Sequence, residues 1–382
     1  MPKKENEKPN DNIEIENVDE KKEDSNNAKK KNKLLKILLI ILSILVILVV
    51  IGFAIVKIFI GNKTGKMQYE ELNTTANDLG ISEEQQKNTK FRNIAILGTD
   101  SRYNDYDDFA RTDCIMIASI NNETNDVTIF SIYRDTLAEM DLYDKTRLDK
   151  INHAYYGGVE TTLKTINTNY DLNVREYILI DFEAVAEMVD KVGGIELNIT
   201  NSELQYINSY IRGNTASTGI ESTKITSSGK QHVDGIQALA YSRIRYTAGS
   251  DYKRADRMRT VLEKTVEKLK DKNVMELNNI ANEIIPKIRT NIEKSEVNSL
   301  LPKLINYKIV NKFGFTYNSR SMALDLKDYY EGTTKGIDYY DVPLSLTEDV
   351  EKLHREVFGE EDYTATEKVK EIDAKIKETA GI

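Results

Sequence analysis

The chain has 382 residues, 40% of them hydrophobic, with a single cysteine, three histidines and a formal net charge of −9. That length holds a membrane segment plus one large domain or two small ones; one cysteine excludes an internal disulfide framework. His153, His232 and His354 are too far apart to share a metal-ligand spacing, which argues against zinc chemistry. The charge is uneven: residues 1–33 carry nine Lys and nine acids, residues 34–66 four Lys and no acid, and residues 67–382 therefore 40 basic against 53 acidic groups. An acidic body has no general attraction for nucleic acid, whose binding depends on neutralising phosphates with Lys and Arg.

Residues 1–33 are rich in Lys, Glu, Asp and Asn and carry too little apolar surface to offset chain entropy, so they are expected to form a disordered tail. Ile37 to Val56 is a run of twenty residues without a charge. At about 1.5 Å per residue it matches a hydrocarbon core of roughly 30 Å, predicting a single transmembrane helix within residues 34–60. Lys29, Lys30, Lys31, Lys33 and Lys36 make the N-terminal flank the more basic one, which predicts a cytoplasmic N-terminus and an extracellular body in the cell membrane. A cleaved signal peptide fits less well, because the n-region is long and no clear cleavage site follows. Residues 61–90 read as a polar stalk, and residues 91–382 as one folded domain.

The body opens with short apolar runs bounded by turn residues: Ile94 to Leu97, Cys114 to Ile120 and Val127 to Tyr133, then Tyr177 to Ile180 and Ile195 to Ile199. These read as strands, the first three as central ones covered on both faces, with Cys114 as a small strand residue. Asp181 is placed to cap a helix bearing Phe182, Val185, Val189 and Val192 on one face and stopped by Gly193-Gly194. Asp234-Gly-Ile-Gln237 resembles a capping box for a short helix, and Ser250 or Asp251 opens another running to about Lys270. Tyr339 to Leu346 reads as a late edge strand and Thr364 to Thr379 as a terminal helix. Alternating elements predict an α/β fold, an α-β-α sandwich around a central mixed β-sheet, without internal repeats.

Arginine is the informative residue type. Of 53 basic residues 15 are Arg, and five of these lie between Arg243 and Arg259. Arg102, Arg111 and Arg134 sit close to aspartates at the ends of predicted strands. A planar fork of five donors suits bidentate recognition of phosphate or carboxylate. If the second strand runs antiparallel to the first, Asp100 and Asp113 meet at one sheet edge, and two carboxylates beside phosphate-binding arginines suit Mg²⁺, or Mn²⁺ in its place. Arg243 and Arg245, two apart, would point the same way from an extended segment. Arg254 and Arg257, three apart, share a helix face near its N-terminus, where backbone N–H groups attract anions. A pyrophosphate fits this layout. Ser101 lacks His and Asp partners for a serine hydrolase, the paired glycines are not phosphate loops, and the scattered tyrosines serve packing.

In their order along the chain, Asn93-Ile-Ala-Ile-Leu-Gly-Thr-Asp-Ser-Arg102, Arg111-Thr-Asp113, Ser131-Ile-Tyr-Arg-Asp-Thr136, Lys150-Ile-Asn-His-Ala-Tyr155, Val189-Asp-Lys-Val-Gly-Gly194, Asp234 to Arg245 and Asp251-Tyr-Lys-Arg-Ala-Asp-Arg257 resemble the LytR-CpsA-Psr family of cell-envelope glycopolymer transferases. The likeness is strongest over residues 91–270 and looser beyond. It implies a membrane-anchored enzyme that moves a glycopolymer from an undecaprenyl-pyrophosphate carrier onto peptidoglycan, at the 6-hydroxyl of N-acetylmuramic acid, with release of lipid phosphate. It also implies that Asp100 and Asp113 hold Mg²⁺, that Arg111, Arg134, Arg243, Arg245 and Arg254 surround the pyrophosphate, and that the prenyl chain lies in an apolar tunnel. Tyr133 stands where the family often has Pro, and Cys114 where Thr or Ser is common; neither removes a charge. Asp100, Asp113 and Arg134 are the expected catalytic residues, Arg102 and Arg257 further substrate contacts, and Asp100, Asp113 and Asp135 all candidates for the general base. A polyprenyl-pyrophosphate hydrolase using the same groups, and a non-catalytic lipid-phosphate receptor, are the competing readings.

Overall fold

The computed structural model describes residues 67–72, 75–99, 111–247, 250–293, 295–297, 306–326 and 337–382, all within the unit Gly61–Ile382. The expected tail (1–33), the expected transmembrane helix (34–60), Asp100 and Arg102 lie outside the described residues. Among the described residues no helix is long and apolar enough to cross a membrane.

A short strand β1 (Gln68–Tyr69) and helix α1 (Glu83–Lys87) precede β2 (Phe91–Thr99), β3 (Thr112–Asn121) and β4 (Asp126–Ile132). A hairpin follows, β5 (Leu137–Leu142) and β6 (Lys145–Lys150). Its two turn residues, Tyr143 and Asp144, have φ of 53° and 58°, the positive values that a two-residue hairpin turn needs to match strand twist. The chain continues through α2 (Gly158–Tyr170), β7 (Val174–Asp181), α3 (Phe182–Lys191), β8 (Ile195–Ile199), α4 (Asn201–Thr218), β9 (Gly229–Val233) and α5 (Gly235–Arg243). Last come α6 (Ser250–Lys270), α7 (Val274–Ile284), β10 (Ile288–Thr290), β11 (Lys308–Phe315), β12 (Ser319–Leu324), β13 (Asp338–Pro343), α8 (Leu346–Phe358) and α9 (Glu367–Ala380).

Among the described residues the central sheet has seven strands in the order β1-β10-β7-β2-β3-β4-β11. It is mixed: β2 is antiparallel to β3 and parallel to β7, and β4 is antiparallel to β3 and parallel to β11. Alternation along the strands sends side chains to opposite faces. Ile115 and Ile117 join a core with Leu163 and Ile166 of α2, Leu353 of α8 and Ile372 of α9. Met116, between them, packs with Met258 and Leu262 of α6 on the other side. That is the expected α-β-α sandwich. Beside it, Val189, Ile195, Ile207, Ile211, Ile236 and Leu239 form a second core from α3, β8, α4 and α5.

The predicted caps are in place. Asp181 accepts a hydrogen bond from the Ala184 N–H, and Asp234 with Gln237 forms a capping box. Gly235 then brings α5 against α3 so closely that an added Cβ would lie 2.0 Å from the Ala186 carbonyl oxygen. Because that obstacle is backbone, Gly235→Ala is expected to cost about 1–3 kcal/mol, measured as a lower urea midpoint at unchanged slope.

Three boundaries differ from expectation. Residues 67–90 are not simply a stalk: β1 pairs with β10, and Met67, Leu79 and Ile81 are buried. Three widely spaced apolar residues carry no periodicity to read, yet they cover the sheet edge and core. The expected strand Tyr339 to Leu346 is β13, which pairs with β12 in a separate two-stranded sheet and bridges Thr136 through Asp341, and α8 already begins at Leu346. The terminal helix starts at Glu367, after the N-cap Thr366, instead of at Thr364.

Candidate functional site

The antiparallel register expected of β2 and β3 is present. Thr99 pairs with Thr112 and Gly98 with Cys114, while Ile115 of β3 pairs with Ile132 of β4. The end of β2, the start of β3 and the end of β4 therefore share one sheet edge, which puts Asp113 beside Arg134. Their side chains meet at 2.5 Å, Arg134 Nη1 donating to Asp113 Oδ1. The first turn of α6 adds Asp251 and Arg254, which bond to each other at 2.7 Å. Arg254 and Arg245 approach the second Asp113 oxygen at 3.8 and 3.6 Å. Arg134 Nε lies 3.4 Å from Asp135 and 3.5 Å from Asp251.

Burial pushes the Asp113 carboxyl up, but Arg134, Arg254 and Arg245 outweigh it and hold the group below the usual carboxylate range. Asp251, with burial dominant and Asp135 nearby, is raised despite its arginines. Arg254 is nearly fully buried, and desolvation lowers its pKa. The Nε–H groups of Arg134 and Arg254 are buried and find no hydrogen-bond acceptor among the described residues. A buried donor without a hydrogen bond is costly, and both side chains line a small cavity together with Asp113, Tyr133, Asp251 and Met258. An anion supplying two acceptor oxygens would satisfy both.

The divalent cation can be tested against the same geometry. Asp113 is held below the usual carboxylate range, and among the described residues its Oδ2 has guanidinium nitrogens at 3.6 and 3.8 Å, beyond ordinary hydrogen-bond reach. Among those residues this is the one hard oxygen of Asp113 that a cation could take. Among the described residues no group of three acidic, His or Cys side chains is placed to hold a metal, so a divalent cation here would need waters and substrate phosphate oxygens for most of its ligands.

The remaining sequence-predicted residues are placed differently. Arg243 is the last residue of α5 rather than part of an extended segment; it donates to Asn214 Oδ1 at 2.8 Å and lies over the Phe182 ring. The helix end between Arg243 and Arg245 breaks the alternation that would have aligned them. Arg257 does not share the Arg254 cluster. It is buried, donating to Glu203 at 2.7 Å, to the Ile244 carbonyl at 2.9 Å and to Thr247 Oγ1 at 2.6 Å. With its donors consumed by protein, it braces the segment that carries Arg245. Arg111 is exposed, one residue before β3.

Sequence reasoning missed the far wall. Lys150, at the end of β6, reaches Asp135 at 3.5 Å and Asp338 at 2.9 Å. Tyr252 Oη donates to Asp341 Oδ1 at 3.1 Å. Lys150 lay within a quoted motif, but nothing local ties it or Asp341, 89 positions from Tyr252, to the arginines.

A family model described as LytR_cpsA_psr matches residues 55–351. The polyisoprenyl-teichoic acid–peptidoglycan teichoic acid transferase TagU of Enterococcus faecalis is 31% identical over 204 residues, 52% of this chain and 60% of that protein. The TagU of Bacillus cereus is 30% identical over 209 residues, 54% of this chain and 62% of that protein. These alignments span about three fifths of the relatives' length. Among solved structures, Bacillus subtilis TagV superposes with a TM-score of 0.53 at 21% identity, covering 72% of this chain and 99% of that one. TagT bound to LI-WTA gives 0.52 at 20% identity, covering 82% and 100%. At that identity the superpositions speak to the fold, a mixed α/β sandwich. With the family match running over well more than half of its residues, this chain belongs to the LytR-CpsA-Psr family.

Proposed function

We propose that the protein is a membrane-anchored transferase that moves a glycopolymer from an undecaprenyl-pyrophosphate carrier onto peptidoglycan at the outer face of the cell membrane. Family membership and the transferase names of the relatives support the reaction class. The charge-free run Ile37 to Val56 with its lysine-rich N-terminal flank supports the anchor, with a cytoplasmic N-terminus. One observation carries the site: Arg134, Arg245 and Arg254 converge on Asp113, with two buried Nε–H groups that make no hydrogen bond among the described residues.

The chemistry follows from that charge. When an acceptor hydroxyl attacks the phosphorus bearing the polymer, the bond to the second phosphate breaks and negative charge builds on the leaving polyprenyl phosphate. Arg134 and Arg254 are fixed in a desolvated site, where preorganised donors stabilise such charge best. Asp113 orients Arg134 through the 2.5 Å bond. Asp113 together with Asp100 would hold Mg²⁺ or Mn²⁺, which when bound supplies charge neutralisation at the phosphate oxygens.

The test is a transfer assay with the full chain, a lipid-linked donor and a peptidoglycan acceptor. The expected products are polymer joined to peptidoglycan plus polyprenyl phosphate; free polymer alone would identify a hydrolase, and bound donor without turnover a receptor. In the same assay, chelation of divalent cations is expected to lower transfer by about 100-fold or more, with recovery on adding Mg²⁺ or Mn²⁺. An unchanged rate in excess chelator rules the metal out.

A further inference from the structure

Among the described residues four carboxylates border the arginine cluster, and three are tied to cations. Asp113 bonds Arg134, Asp251 bonds Arg254, and Asp135 lies between Arg134 and Lys150. Asp341 on β13 differs: among the described residues no cation ion-pairs with it, and its side-chain partner is the Tyr252 hydroxyl at 3.1 Å. Its own N–H donates to the Asp135 carbonyl at 2.8 Å, which fixes it against the Arg134-Asp135 corner. Tyr252 lies between Asp251 and Arg254 in the first turns of α6, its ring edge-on to that of Tyr133 with centroids 4.4 Å apart. Ser319 Oγ is 3.0 Å from the Tyr252 oxygen. With the tyrosine proton directed at Asp341, Ser319 is the donor of that pair, and the phenol oxygen keeps one lone pair for a further donor.

We propose that Tyr252 and Asp341 are the proton-accepting pair for the acceptor hydroxyl, an assignment that rests on the transferase reading above. The acceptor oxygen forms its bond to phosphorus as its proton passes to the Tyr252 oxygen and the Tyr252 proton passes to Asp341 Oδ1. The phosphorus–oxygen bond to the leaving polyprenyl phosphate breaks, and the electron pair departs with that phosphate beside Arg134 and Arg254. Ser319 holds the phenol in place. Asp113 is the poorer base, since its guanidinium neighbours hold it below the usual carboxylate range, and Asp251 already accepts from Arg254 at 2.7 Å. The groups facing Asp341 are Tyr252 and Asp251 on α6, Asp135 after β4 and Lys150 on β6. Burial raises Asp341 to about 6, Tyr252 and Lys150 oppose the shift, and the charges of Asp135 and Asp251 add to it. A base in that range is matched to work near neutral pH.

The experiment compares full-length wild type with Asp341→Asn and Tyr252→Phe, measuring kcat for transfer, donor binding and the pH dependence of kcat. In wild type, kcat is expected to fall as pH drops through about 6, because the protonated carboxyl accepts nothing. Each variant is expected to lose about 100-fold or more in kcat while binding donor as wild type does, and Asp341→Asn is expected to lose the acid limb. Wild-type kcat with the limb intact in Asp341→Asn overturns the assignment. So does donor binding that falls in parallel with kcat in both variants, the mark of a structural role. Should Asp341→Asn fail to fold, Tyr252→Phe decides by the same kcat and binding criteria. Failure of the transferase reading registers in wild type itself, as donor hydrolysed without attachment, and overturns both.

Discussion

Arg134→Ala is expected to lower transfer by about a thousandfold, at the upper end of what removing one preorganised donor costs. Arg134 is the centre of the cluster: it bonds Asp113 at 2.5 Å and lies within 3.5 Å of both Asp135 and Asp251. Its loss leaves those three acids without the cation between them, so they repel the incoming diphosphate as well as failing to stabilise the transition state. Donor affinity should therefore fall along with kcat. Arg134→Lys is expected to rescue only part of the loss, because a point charge cannot engage Asp113 and a phosphate at once through a planar fork. Steady-state transfer rates and donor titrations on the two variants check both statements. Near-normal transfer by Arg134→Ala would separate this residue from the chemistry.

Arg257→Ala is expected to destabilise the protein by about 3–5 kcal/mol, the range for removing one partner of a buried ion pair. Arg257 and Glu203 are only 5% and 8% exposed. The truncation leaves Glu203 with Thr200 alone and strips the Ile244 carbonyl and Thr247 hydroxyl of their donor. Burial alone would raise the Glu203 carboxyl, but its bonds from Thr200 and Arg257 outweigh that and lower it. The stability it contributes is thus present above the ordinary glutamate range and lost as pH falls through the lowered value. Urea unfolding of wild type and variant, at neutral and acidic pH, measures both. A midpoint unchanged from wild type would mean the bracing role is absent.

The contrast between Arg254 and Arg257 also marks how far the sequence could be read. Both lie on α6 at a spacing that shares a helix face, but Glu203 in the first turn of α4 claims one of them, and no pattern local to α6 announces that. The central strands were legible because β2, β3 and β4 are apolar on both faces, and the site edge followed from their order and from the chemistry of Arg beside Asp. Residues 67–90 were not, since Met67, Leu79 and Ile81 are too sparse to show a period. Nor was the β5–β6 hairpin, whose Asp141, Lys145 and Thr146 are exposed and leave only a weak alternation. Arg243 and Arg245 show how a helix end falling between two residues undoes a two-residue alternation. Asp341 reaches the site through the bridge of β13 to Thr136, and Lys150 through the β5–β6 hairpin, long-range pairings that no local pattern announces.

The central claim, that Arg134, Arg245 and Arg254 around Asp113 seat a lipid diphosphate, is tested most directly by a crystal structure of the protein with a polyprenyl pyrophosphate. The account predicts phosphate oxygens within hydrogen-bond distance of the Arg134 and Arg254 Nε–H groups that lack acceptors among the described residues. A diphosphate bound elsewhere, with no phosphate oxygen reaching either Nε–H, would contradict it.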